Sequence, residues 1–143
     1  MYLISHRGNI NGIHKNYENK PEYINNALNH NYDVEVDVRY HDSKFFLGHD
    51  YNQYEVDKNF LLNKKIWCHA KTPEALLALK EIGAHYFWHQ EDDYTLTSNG
   101  FIWTYPGKKL LIKSICVLPE IADYKKIDCI GICSDFIEKY KND

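Results

Sequence analysis

Asp33-Val34-Glu35-Val36-Asp37-Val38-Arg39 alternates charged and β-branched residues without a break. Side chains alternate sides along a strand, so Glu35, Asp37 and Arg39 share one face and the valines share the other. A half-exposed strand with its polar face in water gives the same pattern. In a sheet covered by helices, however, the valine face goes to the helices and the charged face turns into the interior of a barrel. Two carboxylates two residues apart then need a cation. A divalent metal held by Glu35 and Asp37 meets that need, because hard cations take oxygen ligands.

Outward from this stretch the chain reads as short apolar strands with a few helices between them. Strands are expected at Tyr2–Ser5, Val34–Arg39, Lys44–Gly48, Lys65–Ala70, His85–His89, Phe101–Tyr105, Lys113–Leu118 and Cys129–Cys133. One helix runs from about Pro21 to Asn31, with Pro in its first turn. Another is capped by Thr72, opens with Pro73 and Glu74, and stops at Gly83. Shorter helices are expected at Pro119–Lys126 and after Ser134. Strand, helix, strand, repeated, points to an α/β protein with a largely parallel sheet in a single domain, residues 1–143. Eight strands suggest a closed barrel, although a full (β/α)₈ barrel takes ~250 residues. The segments Glu91 to Gly100 and Pro106 to Ile112 are too short for helical crossovers. The expectation is therefore a stripped barrel, or an incomplete one completed by a second chain as a homodimer.

Composition excludes several classes. The 143 residues are 44% hydrophobic and 26% charged with a net charge of −3, which rules out a disordered or collagen-like chain. That balance offers no basic field for nucleic acid. No apolar run approaches the ~20 residues of a membrane span. Met1-Tyr2-Leu3-Ile4-Ser5 leads into His6 with no basic region and no cleavage site, so a cytoplasmic location is expected. Cys68, Cys116, Cys129 and Cys133 lack CxxC spacing and sit in apolar runs, the pattern of buried reduced thiols. Arg7 and Arg39 are the only arginines among 17 basic residues, a bias in which a retained arginine points to use of its planar fork.

Candidate chemistry clusters at strand ends. His6-Arg7-Gly8 follows the first strand: Gly8 permits a sharp turn, Arg7 can grip a phosphate bidentately, and His6 can transfer a proton near neutral pH. Phe45-Phe46-Leu47-Gly48-His49-Asp50 ends another strand with another histidine. His89, and Trp103 with Tyr105, are candidates to line a pocket, or equally to be part of an aromatic core. His14, His30, His41 and Lys139–Lys141 read as solvated surface.

The order His6-Arg7-Gly8, Glu18-Asn19, Glu35-Val36-Asp37, His49-Asp50 resembles the glycerophosphodiester phosphodiesterase family over residues 1–50. Beyond them, Trp103-Thr104 and Ser134-Asp135 look like the family's later strands. The resemblance implies a reduced (β/α) barrel of the phospholipase C-like phosphodiesterase type, a TIM barrel with several helices shortened or missing. It also implies that His6 and His49 are general acid and base, that Arg7 contacts phosphate, and that Glu35 and Asp37 bind Mg²⁺ or Ca²⁺. The family's third strand carries Glu-x-Lys, whose Glu is a metal ligand and whose Lys binds phosphate. Here Trp67-Cys68-His69-Ala70-Lys71 keeps Lys71 but has His69 in place of the Glu. Either His69 is a metal ligand, shifting preference toward Mn²⁺ or Zn²⁺, or the metal is weak or absent and His69 donates to phosphate directly. The implied function is hydrolysis, or cyclisation, of a small glycerol-type or nucleotide-linked phosphodiester. The alternatives are a degenerate phosphate- or phosphodiester-binding barrel without turnover, and a structural subunit.

Overall fold

A computed structural model describes residues 1–142. Ten strands form one mixed sheet: β1 (Tyr2–His6), β2 (Asp33–His41), β3 (Lys44–Leu47), β4 (Tyr54–Val56), β5 (Ile66–Ala70), β6 (Tyr86–Trp88), β7 (Tyr94–Leu96), β8 (Ile102–Thr104), β9 (Ser114–Val117) and β10 (Gly131–Ser134). The helices are α1 (Pro21–Asn29), α2 (Lys58–Leu61) and α3 (Pro73–Ile82). A parallel ladder runs β6-β5-β2-β1-β10-β9-β8. Strands β3 and β4 form an antiparallel hairpin extension on the far half of β2, and β7 returns antiparallel along β8.

The reduced (β/α) TIM-type barrel expected above is not what forms. The sheet is a curled half-barrel with three short helices, of nine, four and ten residues. The reason is chain length between strands. The ten residues after His89 fold back as β7 instead of building a helical crossover, and Pro106–Ile112 passes in turns. No ladder joins β6 to β7 among the described residues; instead Ser98 N–H donates to the Tyr86 carbonyl at 2.8 Å and Thr95 Oγ1 donates to the Trp88 carbonyl at 2.8 Å. The expected helices at Pro119–Lys126 and after Ser134 are single 3₁₀ turns, Pro119–Ile121 and Ile137–Tyr140.

The eight strands read from the sequence all form, and alternation along them sets the two faces. On the convex side, Val34, Val36 and Val38 pack with Ile24 and Ala27 of α1 and Ala75, Ala78 and Leu79 of α3. Helix α3 begins as its residues dictate, with the Ala75 N–H donating to Thr72 Oγ1 at 3.2 Å, and stops at Gly83, whose φ is +75°. On the concave side, Ile4, Trp67, Phe87, Trp103, Ile115, Val117 and Cys133 form a second, smaller core. Phe87 of β6 touches Trp103 of β8 with centroids 4.6 Å apart, although five strands separate them along the ladder. The sheet curls around this aromatic plug. All four cysteines are free, and Cys68, Cys116 and Cys133 are buried. No helix among the described residues is long and apolar enough to cross a membrane.

Candidate metal and phosphate site

Above the plug, where the parallel strands end, the concave face becomes polar. This is the end at which parallel sheets gather ligand sites, because successive loops converge there. Glu35 and Asp37 of β2 reach it with exposures of 2% and 0%. The β2–β5 register pairs Asp37 with His69, which places an imidazole beside both carboxylates. His69 Nδ1 lies 3.5 Å from Glu35 Oε1 and 3.5 Å from Asp37 Oδ1. One ligand atom from each of the three residues falls within 4.8 Å of the others, the only such group among the described residues.

Two observations test whether these residues suit a divalent ion. Glu35 Oε2 and Asp37 Oδ1 are buried and have no hydrogen-bond partner. Buried acceptors left this way are costly unless a cation answers them. The His69 ring is also set for ligation: Nε2–H donates to the His89 carbonyl at 2.7 Å, leaving Nδ1 directed at the carboxylates. The 3.5 Å from His69 Nδ1 to each carboxylate oxygen matches neighbouring ligands around one ion with bonds of ~2.0–2.5 Å. The set fits a metal, and its mixed O, O, N character suits Mn²⁺ or Zn²⁺ as well as Mg²⁺ or Ca²⁺.

The cations surround this group. Arg7 has φ +54° and is followed by Gly8 at +91°, a turn that brings the guanidinium back over β2. A Cβ at Gly8 would lie 2.7 Å from Tyr23 Cδ1, so the turn requires glycine. Arg7 Nε is 2.8 Å from Asp37 Oδ2 as an ion pair, and Nη1 donates to Glu18 Oε2 at 3.2 Å. Lys71 Nζ is 4.0 Å from Asp37 Oδ1. Asn19 clamps Asp37 from both sides, donating to Oδ2 at 2.9 Å and accepting from the Asp37 N–H at 2.9 Å. Burial by itself would raise the Asp37 pKa, but Arg7, His69, Asn19 and Lys71 outweigh it and hold the carboxyl below its ordinary value.

His6 ends β1 with Nδ1 2.7 Å from Asp135 Oδ1 and Nε2 3.8 Å from Glu35 Oε2. Burial opposes the charged imidazole, yet the Asp135 bond and the Glu35 charge prevail and raise its pKa above 6.5. Asp135 is held in turn, with its N–H donating to Glu120 at 2.8 Å and Asn9 Nδ2 donating to its Oδ1 at 2.8 Å. His49 stands apart from these groups. It is half-exposed, sits 2.7 Å from Asp50 through Nδ1, and lines a cleft of about 340 Å³ with Arg7, Asn19 and Gln53. His89 contributes its carbonyl to His69, while its buried ring lies 3.7 Å from Asp92. Trp103 is placed one level lower, 3% exposed in the aromatic plug, not on a cavity wall.

Sequence reasoning grouped His6, Arg7, Glu35, Asp37, His49, His69 and Lys71; the fold brings six of them together and leaves His49 apart, on the cleft it shares with Arg7. It missed Asp135 as the partner of His6, and Asn9 and Glu120 as its holders. The available signal was Ser134-Asp135 closing the last strand; only the β1–β10 pairing, Ser5 opposite Ser134, puts it beside residue 6. No protein-family model matches the chain, and comparison with curated proteins and with solved structures finds no match.

Proposed function

We propose that this site is that of a metal-assisted phosphodiesterase, a phosphoric diester hydrolase or its cyclising variant. The single observation that carries this is the convergence of two buried carboxylate oxygens that lack a hydrogen bond and His69 Nδ1, with Arg7, Lys71 and the His6–Asp135 pair around them. The residue order of the glycerophosphodiester phosphodiesterases supports the same conclusion. Glu35, Asp37 and His69 would hold the ion, which when bound neutralises phosphate charge and polarises a phosphoryl oxygen. Arg7 and Lys71 stabilise the charge that grows on the phosphate oxygens. His6, whose charged form Asp135 favours, donates its proton to the leaving alkoxide oxygen, and His49 takes the proton from the attacking oxygen. That oxygen belongs to water, giving hydrolysis, or to the substrate's own neighbouring hydroxyl, giving a cyclic phosphate. The substrate is a small diester of glycerol or nucleotide type, and free thiols suit a reaction in the reducing cytoplasm. Every group comes from one chain, so a homodimer is not needed to complete the site.

A second possibility, phosphate or phosphodiester binding without turnover, is favoured by one feature: the Arg7 guanidinium is already engaged by Asp37 and Glu18. One assay separates the two. Metal-stripped protein is offered bis-p-nitrophenyl phosphate and glycerophosphodiesters with Mg²⁺, Ca²⁺, Mn²⁺ or Zn²⁺ restored. Phosphodiester cleavage that needs metal and falls about 10²-fold or more in His6→Ala and in His49→Ala is the expected result. Absence of turnover on any diester, with inorganic phosphate still bound, establishes the binding protein.

A further inference from the structure

A second cavity, about 420 Å³, opens between α1 and the segment after Gly8, and shares no lining residue with the cleft of Arg7 and His49. Tyr17 and Tyr23 line it with ring centroids 5.8 Å apart and planes inclined at 39°. His14 stands edge-on to Tyr23 at 84° with centroids 6.3 Å apart. Tyr17 is 53% exposed and belongs to neither apolar core; its ring rests on Tyr23, with Lys20 Nζ 5.9 Å from its centroid, and leaves an aromatic surface open to the cavity. Asn11, Asn26, His30 and Glu138 complete the lining with Ile10, and Lys141 Nζ lies 3.8 Å from Glu138 Oε1. His30 spends Nδ1 on the Asn26 carbonyl at 2.8 Å, which leaves Nε2 for a ligand.

We propose that this cavity is a subsite for a neutral sugar ring. No lysine or arginine lines the cavity among the described residues; Lys20 stands over the Tyr17 ring at 5.9 Å and Lys141 lies 3.8 Å from Glu138, so the nearest ammonium groups are engaged there and not presented to a phosphate. Ile10 is its one aliphatic residue, too little for an acyl chain. With centroids 5.8 and 6.3 Å apart, the tyrosine and His14 rings touch one another, so they form one stepped aromatic surface and no parallel-walled slot for a planar base. A pyranose suits this surface: its C–H face lies on the exposed Tyr17 ring while its hydroxyls donate to the Asn26 side-chain oxygen and to His30 Nε2. The volume falls within the ~300–1,000 Å³ of small-molecule sites.

The cavity also communicates with the metal and phosphate site. Tyr23 Oη donates to Asn9 Oδ1 at 3.2 Å, and the His14 N–H donates to the same oxygen at 3.2 Å. Asn9 Nδ2 then donates to Glu18 at 3.0 Å and to Asp135 at 2.8 Å. Asn9 is fully buried with both amide atoms in use, so a ligand that shifts Tyr23 is felt at the partner of His6. If the diester chemistry proposed above holds, the sugar is one arm of the substrate; the subsite itself rests only on the ring geometry and lining.

The test is an NMR titration of the full chain with methyl α-glucopyranoside, N-acetylglucosamine, uridine and inorganic phosphate as separate probes. Saturable millimolar shifts with a sugar, centred on Tyr17, Tyr23 and Asn26 and weakened about tenfold or more in Tyr17→Ala, are expected. Tyr17 is exposed, so the variant keeps its fold, and Asn26→Ala on the opposite wall serves as a second check. Shifts with uridine alone, shifts with phosphate alone, sugar shifts indifferent to both substitutions, or no shifts at all each overturn the proposal. Because no turnover is measured, the outcome is independent of whether the chain cleaves diesters.

Discussion

Two levels of the same concave face differ in almost everything but their strands. The lower level carries Ile4, Trp67, Phe87 and Cys133, all at 2% exposure or less. Two residues further along the same strands the upper level carries His6, His69, His89 and Asp135. Alternation decides the face, and position along the strand decides the chemistry. At the lower level every side chain meets another from across the curl, so apolar rings gain most by filling it. At the upper level the ladder ends, and loops bring in Arg7, Asn9 and Asn19 to answer buried charge. Cutting into the plug should therefore cost stability, while cutting into the rim should cost binding and chemistry.

The largest expected effect is at the lower level. Trp67 is 1% exposed, packs on Phe101 and Trp103, and donates from Nε1 to Asp33 at 2.9 Å. Trp67→Ala should lower unfolding free energy by about 3–5 kcal/mol. His69→Ala, one level up, removes a bond to the His89 carbonyl and should cost about 1 kcal/mol. Urea denaturation of both variants decides the matter: equal losses would erase the distinction between levels.

Metal addition sharpens the comparison from the other side. An ion held at about a hundredfold its dissociation constant should stabilise the wild type by about 2.7 kcal/mol. Glu35→Gln and His69→Ala should lose that increment while Trp67→Phe keeps it, read as shifts in melting temperature. His69→Glu, which restores an all-oxygen set, should move preference from Mn²⁺ or Zn²⁺ toward Mg²⁺ or Ca²⁺. A wild type indifferent to all four ions would recast the upper level as an ion-pair network alone.

How much of this was legible in the sequence follows from the same two levels. The face of Glu35, Asp37 and Arg39 could be read because strand alternation is local. So could the Thr72 and Gly83 ends of α3, which depend on adjacent residues. The barrel class could not, because closure depends on what loops such as Glu91–Gly100 do when too short for a helix; here one becomes β7. Trp103 was left between a pocket wall and core filling because periodicity gives a residue's face but not its level. Asp135 went unassigned to His6 because 129 residues separate them and only the β1–β10 pairing unites them.

Histidines on the two levels should titrate in opposite senses. His85, at the lower end beside Trp67, has its pKa pushed down to about 4 by burial. The unfolded chain takes up that proton first, so the stability this residue contributes is present above pH 6.5 and is lost as pH falls toward 4. His6 is raised, so its contribution is full below pH 6.5 and is lost as pH rises through its folded value. Imidazole NMR of the metal-free protein should find His85 neutral in mild acid where His6 is charged. Parallel titration of the two would break the contrast.

The smallest expected effect lies at the outer rim, one more step along β2. Arg39 shares the face of Glu35 and Asp37 but answers carbonyls instead of carboxylates, donating from Nε to Gly48 at 3.0 Å and from Nη2 to His49 at 2.8 Å. The Gly48 N–H returns to the Asp37 carbonyl at 3.0 Å, so one planar fork fixes the loop that presents His49. A lysine has no such fork and can satisfy only part of this geometry. Arg39→Lys should cost about 1 kcal/mol of stability or less. Hydrogen exchange should accelerate at Gly48 and His49 while the amides of Val34, Val36 and Val38 stay protected. Unchanged exchange at the His49 loop would mean that the hairpin, not Arg39, holds it in place.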